Sequence, residues 1–391
     1  MKFNLKFNTP LTLSLAALVS AALIGCSSKP QDPAFTAAMS LPKYDQASFA
    51  AYVEETKLWL ENNRLFVTQD KTSELANILP REYQPKKPNG QGVLLVHGLA
   101  DSPYSFINVA QHLADKGYLV RTLLLPGHAS KVGDLQLPSL QDWQGTVAHH
   151  IKLMKNDVSS IWVGGYSTGA NLVTEQAITD DSINGVLLFS PAFQPNSPTV
   201  KYAGLASYFM TWADQDPEDN PLRYNSLPMN AAAVYYETSV EVREKLDGTL
   251  YDKPVFMLMS EGDRVIDTEF AIDVFKEQFN NPNSRLVWQG EHAIPEPRST
   301  RFSMDLPEQR ISNGSHMGLL FSPKNPNYGI QGTSRICSNG QTEEQELACM
   351  SGDSTWFSAW GYTQENKNHA RLTYNPYFSE SMALLDQVMA H

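Results

Sequence analysis

Ser160-Ile161-Trp162-Val163-Gly164-Gly165-Tyr166-Ser167-Thr168-Gly169-Ala170-Asn171 decides how the rest of this chain is read. The stretch opens as a short apolar run of the buried-strand type, passes through Gly-x-Ser-x-Gly, and continues in a helical pattern to Thr179. A strand that turns sharply into a helix strains the backbone of its central residue, so the flanking positions must be small; Gly165 and Gly169 meet that need. Ser167 is therefore expected at the carboxyl end of a sheet with its hydroxyl exposed. The first N–H groups of the helix would point at any negative charge developing beside it. The bare pattern is short and the chain contains 23 glycines, so the surrounding sequence has to carry the argument.

A length of 391 residues, 42% of them hydrophobic and 18% charged, leaves ample material for the core of a large domain. The formal net charge of −12 argues against a nucleic-acid partner or an anionic-membrane surface. Residues 1–25 read as a signal peptide: Lys2 and Lys6 form a basic start, and the apolar run over 11–24 is too short for a comfortable membrane span. The run ends in Leu23-Ile24-Gly25-Cys26, followed by Ser27-Ser28-Lys29-Pro30, which resembles the lipobox of bacterial lipoproteins. That resemblance implies that Cys26 becomes the lipidated first residue. Ser27, rather than Asp, after the cysteine implies a lipid-anchored place in the bacterial cell envelope, at the outer membrane. The two other cysteines, Cys337 and Cys349, lie in a polar segment; in an oxidising compartment they are expected to close a short disulfide loop. No metal-ligand spacing is present, and no cofactor is expected.

Residues 26–85 read as a polar, Pro-rich tether followed by a helical segment over 45–67, with Asp45 available as its cap. From 86 to 391 strands and helices alternate. Apolar strand patterns cover 93–96, 118–125, 161–165, 185–190, 254–260 and 284–289; helical patterns cover 104–116, 139–155, 172–178, 268–279 and 378–389. Such alternation predicts an α/β fold with a mostly parallel sheet covered on both faces and a ligand site beyond the carboxyl ends of its strands. Residues at about 195–250 interrupt the rhythm. They are rich in aromatic side chains, add no strand to the sheet, and read as a helical cap over the strand ends. Residues 322–375 read as irregular surface.

A serine hydroxyl is a weak nucleophile at neutral pH and needs a base, which in turn needs an orienting acid. The order serine, acid, histidine places the acid just past the first sheet strand after the cap. Asp263, beside Gly262 at the end of the 254–260 strand, fits best; Glu261 and Asp267 sit less well. For the base, His292 follows the 284–289 strand directly, and His316 lies in the small-residue loop Ser312-Asn313-Gly314-Ser315-His316-Met317-Gly318. On the residues alone the two stand level. The oxyanion of a tetrahedral intermediate needs preorganised N–H donors. Thr168, after the nucleophile, and Leu99, in the loop His97-Gly98-Leu99, are the expected donors, with His97 and His128 in supporting roles.

Together, Val96-His97-Gly98-Leu99, Asp101-Ser102-Pro103-Tyr104, Leu125-Pro126-Gly127-His128, Asp142-Trp143 and Gly165-Tyr166-Ser167-Thr168-Gly169 resemble the α/β-hydrolase superfamily, closest to its carboxylesterase and monoacylglycerol-lipase-like branch. The resemblance runs well from about 90 to 265 and loosely beyond. It implies the α/β-hydrolase fold with a cap insertion, an oxyanion hole at the His97-Gly98 motif and an acid at the Gly262-Asp263 turn. Ser315-His316-Met317-Gly318, with Asn325-Pro326-Asn327-Tyr328-Gly329 after it, resembles the histidine loop of bacterial members and selects His316 as base. The separation between Asp263 and His316 is longer than usual, which keeps His292 open. The implied activity is a serine hydrolase acting on carboxylic esters, lipid-like or short-chain. The same residues suit an amidase or acyltransferase, and a non-catalytic envelope scaffold is the alternative of another kind.

Overall fold

The computed structural model describes residues 32–352 and 355–391; the signal-like leader and Cys26 lie outside them. In chain order the elements are α1 (Phe49–Asn63), α2 (Lys71–Ile78), β1 (Arg81–Tyr83), β2 (Gln91–Val96), α3 (Ile107–Asp115), β3 (Leu119–Leu123), α4 (Leu140–Met154), β4 (Ser160–Tyr166), α5 (Thr168–Thr179), β5 (Ile183–Phe189), α6 (Ala203–Ala206), β6 (Trp212–Asp214), β7 (Leu227–Pro228), α7 (Met229–Leu246), β8 (Val255–Ser260), α8 (Thr268–Glu277), β9 (Arg285–Gln289), β10 (Ser299–Phe302), α9 (Glu343–Met350), β11 (Trp356–Ser358), β12 (His369–Arg371) and α10 (Phe378–Met389).

Eight strands form one sheet in the order β1-β3-β2-β4-β5-β8-β9-β10, parallel throughout except for β1 at one edge. Val93, Leu94, Leu95 and Val96 of β2, and every residue of β8, are buried, because helices cover both faces of the sheet. The order steps from β2 to β3 on one side and then returns to β4 on the other. A crevice opens at such a reversal, beyond the carboxyl ends of β2 and β4. Register sets those two ends level, with Val96 opposite Gly165.

Several elements depart from the sequence-based expectation. Ser48, not Asp45, caps α1, accepting from Ala51 N–H at 3.2 Å. The segment before residue 86 is built into the same compact unit as the remainder, which spans 33–391. Its β1 pairs with β3, and the Tyr52 hydroxyl bonds both Leu124 C=O (2.8 Å) and Leu124 N–H (3.0 Å). The buried Arg64 pairs with Glu74 at 2.7 Å and donates to Ala129 and Pro221 carbonyls, fastening this segment to two loops above the sheet. Of the interval read as a cap, α7 packs along α5 as the crossover helix between β5 and β8, tied by Asn171 Nδ2 to Thr238 Oγ1 at 3.1 Å. The part over the strand ends is shorter, about 195–228, and carries α6 and the small β6–β7 pair.

The stretch 322–375 is surface along much of its length, as expected, but parts of it reach the interior. Tyr328, Leu372, Tyr374 and Asn375 are buried. Asn325 Oδ1 accepts from Tyr328 N–H (2.9 Å), Asn327 N–H (3.0 Å) and the Tyr104 hydroxyl (3.1 Å), so a segment without regular structure still satisfies its polar groups. β10 adds an eighth strand that no apolar run announces, because at the sheet edge all four of its residues keep some exposure. Cys337 and Cys349 are joined by a disulfide across a separation of 12 residues. Cross-linking a loop of this size removes about 3 kcal/mol of unfolded-chain entropy. Replacing both cysteines by serine is expected to lower unfolding stability by roughly that amount in urea titrations under oxidising conditions. An unchanged midpoint would show that the loop is held by its packing alone.

Candidate active site

β4 runs straight into Ser167, whose backbone sits at φ +54°, a conformation that costs a non-glycine residue about 1–2 kcal/mol. Three hydrogen bonds hold it there: Ser167 N–H to Phe189 C=O at 3.0 Å, and Ser167 C=O accepting from Ala170 N–H at 3.0 Å and Ala192 N–H at 3.3 Å. The turn leaves no room beside it. A Cβ on Gly165 would lie 2.4 Å from Ala170 N, and one on Gly169 only 2.1 Å from the Val96 carbonyl oxygen. Ser167 is 7% exposed, and its hydroxyl has no hydrogen-bond partner among the described residues.

Asp263 follows β8 with its side chain fully buried. Its Oδ1 accepts from Val265 N–H (2.8 Å) and Ile266 N–H (3.2 Å), and its Oδ2 lies 2.6 Å from His316 Nδ1. The carboxylate is thus oriented by the backbone and turned on one imidazole nitrogen, which fixes the proton at Nδ1 and leaves Nε2 as the free lone pair. Nε2 has no partner among the described residues. The His316 ring packs 5.1 Å from the ring of Tyr166, the residue before Ser167, and the Tyr166 hydroxyl donates to His316 C=O at 3.4 Å. Ser315 Oγ donates to Leu372 C=O at 2.5 Å and accepts from Gly318 N–H at 3.0 Å, so the loop is braced by the C-terminal segment.

His292 is placed elsewhere. Its side chain is 89% exposed and pairs with Glu261, whose charge holds the imidazole pKa above its ordinary value. Asp267 caps α8, accepting from Phe270 N–H at 3.0 Å. The surface pair Glu261–His292 therefore mimics an acid–base dyad in sequence but sits apart from Ser167. The long interval between Asp263 and His316 accommodates β10 and the Leu306–Ile311 bridge.

The loop after β2 lies against the elbow, where a Cβ on Gly98 would come 3.1 Å from Ser167 Cβ. Neither Leu99 N–H nor Thr168 N–H has a hydrogen-bond partner among the described residues. Thr168 follows Ser167 directly, and Leu99 follows Gly98, which lies against Ser167. Two buried histidines hold the loop. His97 bonds Gly98 C=O through Nδ1 (2.8 Å) and accepts Leu125 N–H on Nε2 (3.1 Å); His128 Nε2 accepts Ala100 N–H at 3.1 Å. Ala100 itself stands at φ +61°. Sequence reasoning missed Tyr166 as a ring partner of His316, and it missed Arg223 and Arg371, which approach the site from the cap and the C-terminal segment. No periodicity or motif marks them.

A family model described as serine aminopeptidase, S33, matches residues 87–216. Among known proteins, the chain is 25% identical over 190 residues to the thermostable monoacylglycerol lipase of Bacillus sp. strain H-257, covering 47% of this chain and 75% of the relative. It is 24% identical over 157 residues to lipase 3 of Moraxella sp. strain TA144, covering 40% of this chain and 44% of the relative. Among solved structures, the Paleococcus ferrophilus monoacylglycerol lipase superposes with a TM-score of 0.46 at 18% identity, covering 58% of this chain and 88% of that one. The sheet order, the serine elbow and the family match together define the class: the chain has the α/β-hydrolase fold. Within that class its matched relatives are lipases.

Burial holds His97 down to about 4 and His128 well below its ordinary value, so both are neutral in the folded protein. Between about pH 6.5 and 4 the unfolded chain binds protons that the folded one refuses, and stability falls as the pH falls. Each histidine is expected to contribute a slope of up to about 1.4 kcal/mol per pH unit. Urea unfolding at pH 7.5 and pH 5 measures it; equal midpoints at the two pH values would contradict the neutral assignment.

Proposed function

We propose that this protein is a serine hydrolase that cleaves carboxylic esters, with Ser167 as nucleophile, His316 as base and Asp263 as orienting acid. The observation that carries the reading is the Asp263–His316 contact of 2.6 Å, delivered from two distant segments to the ring beside the strained serine. In this reading His316 Nε2 takes the Ser167 proton as Oγ attacks the ester carbonyl, and buried Asp263 stabilises the imidazolium that forms. The negative oxygen of the intermediate is received by Leu99 and Thr168 N–H, which no protein group occupies; one such donor is worth about 3 kcal/mol. Collapse releases the alcohol with the proton from His316, and water then repeats the sequence to free the acid. The lipase relatives favour an ester of lipid type. The lipobox-like run ending at Cys26 supports an envelope lipoprotein held by a lipidated cysteine.

Ser167→Ala and His316→Ala are expected to lower kcat by at least about 10³-fold on 4-nitrophenyl esters with the fold intact by circular dichroism. His292→Ala should retain wild-type rates. Loss in His292→Ala with retention in His316→Ala would reassign the base, and full activity in Ser167→Ala would end the serine-hydrolase reading. For the anchor, cells fed radiolabelled palmitate should label the wild-type protein and not Cys26→Ser; equal labelling would overturn it.

A further inference from the structure

Two arginines reach the site from opposite sides. Arg223 belongs to the extended end of the cap, whose neighbours are fastened to the loop after β2: Ser102 Oγ donates to Leu222 C=O at 2.7 Å, and Tyr224 N–H donates to Ala100 C=O at 2.7 Å. Leu222 and Tyr224 are buried, so the alternation along this segment turns Arg223 to the other side, where its Nη1 lies 3.5 Å from Sδ of Met317, the residue after His316. Arg371 ends β12, next to Leu372, on which the His316 loop is braced. Its guanidinium is held by Asn339 Oδ1 (3.3 Å) and Ser338 C=O (3.0 Å), both beside the Cys337–Cys349 disulfide.

Among the described residues no carboxylate lies within 4 Å of either guanidinium. Neighbouring acids are engaged with backbone N–H groups instead. Asp101 accepts from Ser102 at 2.9 Å, and Glu218 accepts from Asn225 at 3.1 Å and Ser226 at 2.8 Å. Burial and the Arg223 charge push the Arg371 guanidinium down to about 9, against the opposing charge of Asp216. Both guanidiniums also act on the Tyr166 hydroxyl, which touches His316. Asp101 and Glu218 act on Arg223, and Asp216 on Arg371, from beyond ion-pair distance, so neither guanidinium fork is closed by a carboxylate and both remain open to an anion.

We infer that Arg223 and Arg371 form a subsite for an oxyanion carried by the ester substrate, a carboxylate or a phosphate, which they hold beside Ser167. This rests on the serine-esterase reading and adds the charge of its substrate class. Arg223 supplies a fork whose N–H groups meet only a sulfur, and Arg371 supplies a second cation fixed by the disulfide loop.

Two matched pairs test the inference on the full-length protein. 4-Nitrophenyl pentanoate and mono-4-nitrophenyl glutarate differ by a carboxylate on the acyl side; a 1-monoacylglycerol and the corresponding 1-acylglycerol 3-phosphate differ by a phosphate on the alcohol side. The wild type is expected to favour the anionic member of at least one pair in kcat/KM, and the favoured pair identifies the group and its side. Arg223→Gln should lower that anionic-to-neutral ratio about tenfold, and added salt should lower it in the wild type. Preference for the neutral member in both pairs, or a ratio unmoved by Arg223→Gln, overturns the subsite while leaving the esterase reading intact. If no ester is cleaved, the esterase reading falls, and calorimetric titration with glutarate and with glycerol 3-phosphate decides the subsite separately. Binding lost in Arg223→Gln upholds it, and no binding to the wild type overturns it.

Discussion

Helix α5 leaves β4 so steeply that Gly169 passes against the Val96 carbonyl of the neighbouring strand, with no space for a single added carbon. Everything at the site depends on that crowding. It holds Ser167 at positive φ and makes α5 begin at Thr168, whose N–H, in the first turn, has no intrahelical acceptor. The parallel register of Val96 with Gly165 then brings the loop after β2 to the same level, with Gly98 against Ser167.

The loops above the sheet are held by polar contacts as well as by apolar packing. His97 and His128 each give a lone pair to a backbone N–H, and the Tyr52 hydroxyl does both jobs for Leu124. Buried backbone groups outside helices and strands must find such partners. A left-handed, non-glycine Ala100 persists because its N–H is captured by His128 and its carbonyl by Tyr224. The same logic explains how 322–375 enters the core with little regular structure: Asn325, Asn339 and Asn375 supply the bonds that helices and strands supply elsewhere.

That C-terminal segment does more than fill space. Through Leu372 it braces the His316 loop, and through Arg371 and the disulfide loop it sets a cation beside the site. The cap does the equivalent from the other side, with Arg223 between two residues bonded to the loop after β2. The core of the fold thus holds Ser167 and Asp263, whereas the additions bring His316 and the two arginines around them.

Local patterns were enough for the centre of the sheet, for most of its covering helices and for the serine elbow. Apolar periodicity and small residues at a sharp turn are properties of contiguous sequence, and the end of β8 beside Gly262 is one as well. Tertiary structure decided the rest. Whether His292 or His316 meets Asp263 is a question of distance across the fold, and the pair adjacent in sequence logic, Glu261 with His292, proved to be a surface contact. β10 escaped notice because an edge strand exposed on both faces has no apolar signature, and the buried stretches within 322–375 escaped because asparagine and tyrosine read as surface until their partners are known. The approach of Arg223 and Arg371 was invisible for the same reason. A charged side chain 148 positions from its counterpart acquires meaning only when folding brings the two to one loop.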